Sequence, residues 1–308
     1  MTHSQKTLKS KTSFEDTDLL IKSGVTKIDK VDDELESVAG IFWTFGSKNR
    51  LDIINELLCN DKLRMVDIAK KLSLPVQAVQ RPLEDLLEKG MIEKDSRGYF
   101  TPTFFCKSTC IHMPYFNFMS ENKKYFQEHD FGDIPKEFIQ RMSVLDKSVY
   151  LDCHPRILEK WMEMYENTDE YIYNTFHHAE YVKDIMDPLF ERLEKGIKTR
   201  TIFSKDTLEN RTNRQREIAK KFSKFKTCGK IEQKFKDQIK ISVIVTDKES
   251  LIMFPRIGGG VDTCEAFYSK EKDFHKWCFD YFNYCWEAAT PFPDGLHHEI
   301  KKTNLISF

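Results

Sequence analysis

Three residues whose side chains bind zinc lie close together in the sequence at Cys106, Cys110 and His112. A structural zinc site normally needs four ligands, and no second pair of cysteines follows nearby. The sequence therefore favours buried thiols over a metal centre, and neither a metal nor another cofactor is expected. The eight cysteines are spread over 308 residues without the dense spacing of a disulfide scaffold, so most are expected to be reduced.

Other residues of catalytic type occur without the neighbours that their chemistry needs. His177 and His178 lie between a predicted strand and a predicted helix, where α/β sheets place ligand sites, although ordinary loop histidines are common there too. Residues 258–260 are glycines, but the lysine and hydroxyl residue of a phosphate-binding loop do not follow them. Gly-x-Ser-x-Gly, His-Glu-x-x-His and Gly-x-Gly-x-x-Gly are all absent from the sequence, so we do not expect an enzyme.

Gln77, Gln80 and Arg81 share one face of a predicted helix, opposite its apolar stripe. Glutamine and arginine form paired hydrogen bonds with adenine and guanine respectively, at the base edges that face the major groove. These three residues are therefore candidate base readers. The nearby residues that we expect to contact the DNA backbone, or in the last case the minor groove, are Lys70, Lys71, Ser73 and Arg97.

The pattern around these residues is that of a winged helix. Helices are predicted at 48–59, at 66–72 and from 75 to 90, and a β-hairpin with turn residues at its tip is predicted at 91–103. In such a domain the third helix enters the major groove, which is where the candidate base readers would be needed. Pro82 lies inside that helix and predicts a kink, because proline removes a backbone hydrogen bond and crowds the preceding turn.

Charge alone does not give this segment a strong attraction for DNA. Between Ser47 and Thr103 there are ten Lys and Arg against nine Asp and Glu, and the whole chain has a net charge of −1. A winged helix used only for protein contacts is the alternative interpretation. Between Glu191 and Lys240, by contrast, 16 Lys and Arg face 7 Asp and Glu. DNA, an anionic ligand, an acidic partner or a solvated surface would each fit that basic region.

The rest of the chain is predicted to form a second, larger domain. The predicted segments are a poorly ordered arm at 1–30, the winged helix with a preceding helix at 31–103, an aromatic-rich connector at 104–146, an α/β domain at 147–290 and a tail at 291–308. Strand and helix patterns alternate in the α/β domain, which indicates a mixed, partly parallel sheet.

Two further features concern the partners of the chain. The predicted helix at 31–45 carries an apolar stripe that a second copy of the chain would cover, which predicts a homodimer. The sequence contains no apolar run near the roughly 20 residues that cross a bilayer, and its first residues lack the apolar core of a signal peptide. We therefore expect no membrane partner and a cytoplasmic location.

The stretch FQEHDFGDIPKEFI at 126–139, followed by RMSVL at 141–145, resembles the start of the effector domain of archaeal methanogenesis regulators. KGIKTRTIF at 195–203 and DFHKW at 273–277 fit the same family, and the resemblance extends over about 47–289. These proteins, like the sugar-sensing TrmB regulators, join an N-terminal winged helix to a domain related to phospholipase D. The resemblance implies a transcriptional regulator that binds double-stranded DNA, with an α+β winged helix followed by a phospholipase D-like α/β domain.

The resemblance also bears on catalysis. Phospholipase D activity needs His-x-Lys followed by Asp, with the histidine as nucleophile, and His-x-Lys occurs nowhere in this chain. The α/β domain is therefore expected to be non-catalytic and to sense a small-molecule effector or to hold a dimer together. By analogy of fold, the candidate effector-binding residues are Asp152, His154, Phe176, His177 and Ser204. The main alternative is a phosphodiester- or phosphoryl-processing enzyme with an attached winged helix.

Overall fold

The computed structural model describes residues 27–132, 134–176, 183–204, 221–222 and 224–291, with side chains described from Leu35 onward. The chain forms two compact units whose boundary in the sequence falls between Ile111 and His112. Nearly all of the predicted arm at 1–30, nearly all of the tail at 291–308 and part of the basic region between Glu191 and Lys240 lie outside the described residues.

The first unit combines helices with a small antiparallel sheet. Its helices are α1 (Lys27–Phe45), α2 (Lys48–Asn60), α3 (Met65–Lys71), α4 (Val76–Glu88) and α5 (Phe104–Cys110), and its strands are β1 (Leu63–Arg64), β2 (Ile92–Lys94) and β3 (Tyr99–Pro102). The strands lie in the order β1–β3–β2. Three helices, α2 to α4, followed by the β2–β3 hairpin confirm the predicted winged helix.

An apolar core holds α2, α3, α4 and the hairpin together. Ile53 and Leu57 of α2, Ile68 of α3 and Leu86 of α4 have no measurable exposure. On the helices these residues repeat at three- or four-residue spacing, so each helix turns one stripe towards the others. Phe100 of β3 is also buried in this cluster and anchors the hairpin to the helices.

The side chain of Arg50 fastens α2 to the end of α1 and to α4. Its guanidinium donates hydrogen bonds to the backbone carbonyls of Trp43 and Thr44, the second at 2.9 Å, and to Asp85 Oδ2 at 3.1 Å. The same guanidinium lies 3.9 Å from the centroid of the Trp43 ring. A nearly buried charge is tolerated because these partners replace its hydration. Arg50 therefore stabilises the framework, and its charge is not available to a nucleic acid.

The second unit is larger and combines helices with one extended sheet. Its helices are α6 (Met113–Glu121), α7 (Lys123–Glu128), α8 (Lys136–Gln140), a 3-10 helix (Met142–Lys147), α9 (His154–Asn167), α10 (Lys183–Glu194) and α11 (Lys272–Ala288). Its strands are β4 (Val149–Leu151), β5 (Tyr171–Phe176), β6 (Lys198–Ser204), β7 (Ile231–Lys236), β8 (Ser242–Thr246), β9 (Ser250–Met253), β10 (Ala266–Ser269) and β11 (Thr290–Pro291).

The sheet of the second unit is mixed, as predicted. Its strands lie in the order β11–β7–β6–β5–β8–β9–β10–β4. β5, β6 and β7 are parallel to one another, and the remaining pairs are antiparallel. Every residue of β8 and β9 is buried, which explains why these strands read as continuous apolar runs rather than as alternating patterns.

Residues 104–146, predicted as a connector, are mostly helical and divide between the two units. Cys106 of α5 is buried in the core of the first unit, whereas Phe118, Tyr125 and Phe138 of α6 to α8 are buried in the core of the second. Trp277 Nε1 of α11 also donates a hydrogen bond to the carbonyl of Phe138 at 3.0 Å. These helices have only five to nine residues, so their apolar periodicity is too brief to be recognised from the sequence.

The sequence also failed to indicate some strands. β7 reads Ile-Glu-Gln-Lys-Phe-Lys, and its charged and polar residues resemble a loop more than a strand. It forms because β6 and β11 pair with its backbone on either side, a long-range condition that local propensity does not record. Among the described helices, none is both long enough and apolar enough to cross a bilayer.

Candidate nucleic-acid interface

Helix α4 has one buried face and one exposed face. Pro75 is its N-cap residue, with φ −61° and ψ 144°, so the helix begins directly after the proline. The side chains that face the core are Val79, Leu83 and Leu86. The predicted base readers, Gln77, Gln80 and Arg81, are exposed and share the opposite face near the start of the helix.

The three predicted base readers differ in how their side chains are engaged. Gln80 Nε2 donates a hydrogen bond to Glu84 Oε1, one turn further along, at 3.0 Å. Within the described part of the chain, Gln77 and Arg81 form no side-chain hydrogen bond or ion pair. The carboxylate of Glu84 also repels phosphates, so the positive charge of this face depends on Arg81.

Pro82 does not end α4, which continues to Glu88. Proline has no N–H, so the carbonyl of Ala78 lacks the partner that an ordinary helix would provide. Ala78 is exposed, so water can take that place. The kink that the sequence predicts here stays a prediction.

The turn between α3 and α4 depends on an unusual backbone conformation at Ser73. Its φ is +54°, in the left-handed region that L-residues rarely adopt. The amide of the next residue, Leu74, donates to the carbonyl of Ala69 at 2.9 Å, which closes the end of α3. Ser73 therefore sets the angle between the two helices and leaves its own side chain at the exposed surface.

Lys70 and Lys71 lie in the last turn of α3, where positive charge favours the carbonyl end of the helix. Lys71 Nζ lies 3.6 Å from Glu56 Oε2 on α2, which partly neutralises it. Lys70 is exposed and has no such partner among the described residues. Lys70 is therefore the better placed of the two for a phosphate contact.

The tip of the hairpin is built around Asp95. Its Oδ1 accepts the backbone N–H groups of Arg97 and Tyr99, each at 2.9 Å, and Gly98 allows the turn through a φ of +85°. Hydrogen bonds from the Tyr99 and Arg97 amides outweigh the opposing effect of desolvation and hold the pKa of Asp95 below its usual value. Arg97 is exposed at this tip, with its Nε 3.8 Å from Asp95 Oδ2.

Two further cations lie beside the hairpin and were not predicted from the sequence. Lys62 Nζ and Arg64 Cζ lie 5.4 and 4.6 Å from the centroid of the Tyr99 ring. Arg64 also pairs with Tyr99 in the register of β1 with β3. Neighbouring residues of a strand point to opposite faces. Because Leu63 packs against the core, Lys62 and Arg64 on either side of it could have been predicted to face solvent.

The candidate effector residues of the second unit fall into two groups. Phe176 and Ser204 end the neighbouring parallel strands β5 and β6. Asp152 and His154 follow β4, at the far edge of the sheet. Four strand spacings separate β4 from β5, a distance of about 19 Å, so the structure does not bring the two groups into one small pocket.

The surroundings of these candidates indicate mainly structural contacts. Asp152 accepts a hydrogen bond from Arg156 at 2.9 Å, which lowers the pKa of its carboxyl group. His154 Nδ1 lies 2.9 Å from the carbonyl oxygen of Thr263. Phe176 packs 5.2 Å from Trp161 between ring centroids, and Ser204 is fully buried. His177 lies outside the described residues, and an effector-binding role for the other four stays a prediction.

The predicted absence of a zinc site at the cysteines can be compared with their geometry. Cys106 is fully buried, with its Sγ 3.9 Å from that of Cys110, whereas His112 is exposed. The thiol contact raises the pKa of Cys106 and lowers that of Cys110. The expectation that these residues bind no zinc stays a prediction.

Comparison with known proteins supports the reading of the first unit. Residues 47–93 match the family described as winged helix-turn-helix DNA-binding. No curated protein matches the chain by sequence. The first unit therefore contains a winged helix-turn-helix of the DNA-binding type between residues 47 and 93.

Similar solved structures include TrmBL2, an archaeal chromatin protein, with 16% identity over 80% of this chain and 94% of that chain, at a TM-score of 0.39. NucT from Helicobacter pylori has 13% identity over 47% of this chain and 99% of its own, at a TM-score of 0.37. Nuc from Salmonella typhimurium, a phospholipase D family member, has 10% identity over 44% and 90% of the two chains, at a TM-score of 0.33.

Proposed function

We propose that this chain, with its winged helix-turn-helix of the DNA-binding type, is a homodimeric transcriptional regulator that reads a specific DNA sequence through α4. The observation that carries the proposal is the exposed face of α4, where Gln77 and Arg81 are not engaged by other described side chains. Both residue types form paired hydrogen bonds with base edges in the major groove. Such a regulator works where the DNA is, so we expect a cytoplasmic location.

Backbone contacts would orient α4 in the groove. Lys70 and Ser73 lie just before the helix, and Arg97 lies at the tip of the hairpin. We add Lys62 and Arg64 to this set, because stacking on Tyr99 holds both cations beside the hairpin. Contacts of this kind set the register of the protein on DNA and carry the salt dependence of binding.

Dimerisation is proposed from the surface of α1. Leu35 and Val38 lie three residues apart on one face of α1 and are 63 and 48% exposed. An apolar stripe of this kind is costly to leave in water, and a second α1 has a stripe of the same shape to cover it. A twofold pair of winged helices would then read a DNA site with twofold symmetry.

We propose that the second unit modulates DNA binding rather than performing catalysis. The sequence lacks the His-x-Lys pair that phospholipase D chemistry needs. An effector would bind near the carboxyl ends of β5 and β6, where Phe176 and Ser204 lie on adjacent strands. It would change DNA binding only by favouring one arrangement of the paired winged helices over another.

The experiment that tests the DNA-binding proposal is selection of binding sites from a random pool of duplex DNA with the full-length purified protein. We expect a palindromic motif, a dissociation constant of about 10⁻⁸ M or lower, and an affinity that falls steeply as salt rises. Replacing both Gln77 and Arg81 by alanine removes the proposed base contacts. The selected site should then lose about 1–3 kcal/mol of binding free energy per contact, while binding to random DNA changes less.

Lys89→Ala is the matched control, because Lys89 is also an exposed cation but follows the far end of α4. It lies eight residues from Arg81, about 12 Å along the helix axis. We expect this variant to bind the selected site like the parent protein. Unchanged binding by the folded Gln77→Ala, Arg81→Ala variant would refute α4 as the reading element. Weak binding without sequence preference at every salt concentration would instead favour a protein-contact role for the winged helix.

A further inference from the structure

A buried cluster of a histidine and two carboxylates lies in the second unit. His129 directly follows α7, and Asp262 and Glu265 lie in the segment before β10. His129 Nε2 is 3.0 Å from Asp262 Oδ2 and 3.4 Å from Glu265 Oε2. The side chains of His129 and Asp262 are only 1 and 5% exposed, whereas that of Glu265 is 22% exposed and reaches the surface.

The orientation of the His129 ring leaves Nε2 as its free coordinating atom. Nδ1 lies 3.0 Å from the carbonyl oxygen of Tyr125, which can only accept, so Nδ1 carries a hydrogen. The ring also stacks on that of Tyr125, with 3.9 Å between centroids and 3° between planes. In the neutral ring, Nε2 then points a lone pair at a carboxylate oxygen. Two such acceptors repel one another unless a proton or a metal cation lies between them.

The distances within the cluster approach those between ligands around a zinc ion. Zinc bonds of about 2.0–2.2 Å in a tetrahedral site separate neighbouring ligand atoms by about 3.3–3.6 Å. The observed separations of 3.0 and 3.4 Å from Nε2 are close to this range, and one ligand atom from each of the three residues lies within 4.8 Å of the others. We propose that His129, Asp262 and Glu265 bind a divalent transition metal ion of the zinc type.

The residues around the cluster support the ligands in the way that metal sites require. The Tyr125 carbonyl orients His129, the amide of Cys264 donates to Asp262 Oδ1 at 2.8 Å, and the phenol of Tyr150 donates to Glu265 Oε1. Such outer contacts fix the direction of the coordinating lone pairs. An imidazole with two carboxylates suits zinc and its neighbours better than magnesium or calcium, which prefer oxygen ligands alone.

The guanidinium of Arg256 competes with a metal ion for the carboxylates of this cluster. Its Nη2 lies 2.7 Å from Asp262 Oδ2 and 3.8 Å from Glu265 Oε2, and its Nη1 lies 3.3 Å from Glu128. One guanidinium therefore faces three carboxylates, which leaves two negative charges when His129 is neutral. Arg256 is 52% exposed, so it can move outward while a divalent ion balances that charge.

A metal ion at this position would join α7 to the segment before β10. The two parts of the chain already meet through the backbone, because the Ile257 amide donates to the Glu128 carbonyl at 2.9 Å and the Asp130 amide to that of Pro255 at 3.1 Å. Metal coordination would add a cross-link between residues that are 133 positions apart. Because three protein ligands leave a fourth position open, a water molecule or another small ligand would complete the shell.

Zinc titration of the full-length protein, after dialysis against a chelator, tests the proposal. We expect one saturable zinc ion per chain, a rise in melting temperature of the second unit, and a much weaker response to magnesium. X-ray absorption at the zinc edge should show one imidazole and otherwise oxygen ligands. Sulfur in the zinc shell would overturn the proposal, since it would show that the free cysteines bind the ion in place of the proposed imidazole and carboxylate ligands.

Variants separate a metal role from a purely structural one. His129→Gln and Glu265→Gln should each weaken zinc binding at least tenfold. Because Glu265 is partly exposed, its substitution disturbs the packing of the core less than that of His129. His112→Gln is the control, since His112 is an exposed histidine of the same unit. Arg256→Gln should tighten zinc binding by removing the competing charge. Equal zinc affinity in the parent protein and a folded Glu265→Gln variant would refute the site.

Discussion

A single carboxylate organises the tip of the hairpin that we place against DNA. The Asp95 carboxylate accepts hydrogen bonds from the backbone N–H groups of Arg97 and Tyr99, and the backbone carbonyl of Asp95 accepts one from the Gly98 amide at 3.0 Å. The turn presents Arg97 in a defined direction without help from a larger core. The direction of Arg97 therefore depends on local hydrogen bonds, and water competes for their donors and acceptors.

Asp95→Asn tests the charge of this residue, because asparagine keeps an acceptor oxygen for the same amides. The pKa of Asp95 is lowered in the folded protein, so its charge contributes stability above the unfolded pKa of about 3.9 and loses that contribution as pH falls through the folded value. We expect faster amide exchange in β2 and β3 of the variant than of the parent near pH 6, with the difference shrinking below about pH 4.

Hydrogen–deuterium exchange of both proteins at each pH provides the measurement, since the intrinsic pH dependence of exchange then cancels. Glu93→Gln, an exposed carboxylate on β2 of the same hairpin, is the control. If the ratio of amide exchange rates in β2 and β3 between parent and variant stayed constant from pH 6 to pH 3, the assigned role of the Asp95 charge would be contradicted.

The winged helix as an element depends on a polar contact as well as on its apolar core. Arg50 joins the end of α1, α2 and α4 through two backbone carbonyls, Asp85 and the Trp43 ring. α4 must be held at a fixed angle if Gln77 and Arg81 are to reach base edges. Arg50 therefore stabilises the position of α4 and its exposed face without contacting DNA itself.

Arg50→Ala should lower the free energy of unfolding of the winged helix by about 2–3 kcal/mol. The reason is that Asp85 loses its cation and the carbonyls of Trp43 and Thr44 lose their donor. Native-state hydrogen exchange of α2 and α4 measures this loss separately from the second unit. Arg97→Ala, which removes an exposed arginine, should change the same quantity by less than about 0.5 kcal/mol. A similarly small loss in Arg50→Ala would show that the apolar core holds α4 alone.

At the scale of the whole molecule, the proposed function requires two copies of the chain. Leu35→Glu combined with Val38→Glu places negative charge on the exposed stripe of α1 without removing buried contacts. We expect this variant to sediment as a monomer at micromolar concentration, where the parent is a dimer, and to bind a palindromic site more weakly.

The control for this experiment is Val149→Glu, which adds charge to another exposed apolar residue, on the edge strand β4. It should leave the oligomeric state unchanged, because edge strands tolerate charge. A dimer that persists in the Leu35→Glu, Val38→Glu variant would place the interface elsewhere, and a monomeric parent would refute the proposed dimer.

Much of the first unit was predictable because its signals are local. Three short amphipathic helices, Gly90 at the end of α4 and the Asp95-to-Gly98 turn each leave a pattern within a few residues. Gly90 has a φ of +66°, the left-handed conformation that its position after the helix suggested. Ser47, a residue type that favours helix starts, is the N-cap residue of α2, although its side chain forms no capping hydrogen bond. The exposure of Gln77 and Arg81 followed from the same periodicity.

The sequence by itself thus determined the winged helix, the mixed character of the second sheet and the face of α4 that meets solvent. The tertiary structure decided which residues lie together across long separations. It divided Asp152 and His154 from Phe176 and Ser204, paired the polar strand β7 with its neighbours, and brought His129 to Asp262. The physical reason is that periodicity and turn preferences act over a few residues, whereas strand order and side-chain clusters depend on how the whole chain packs.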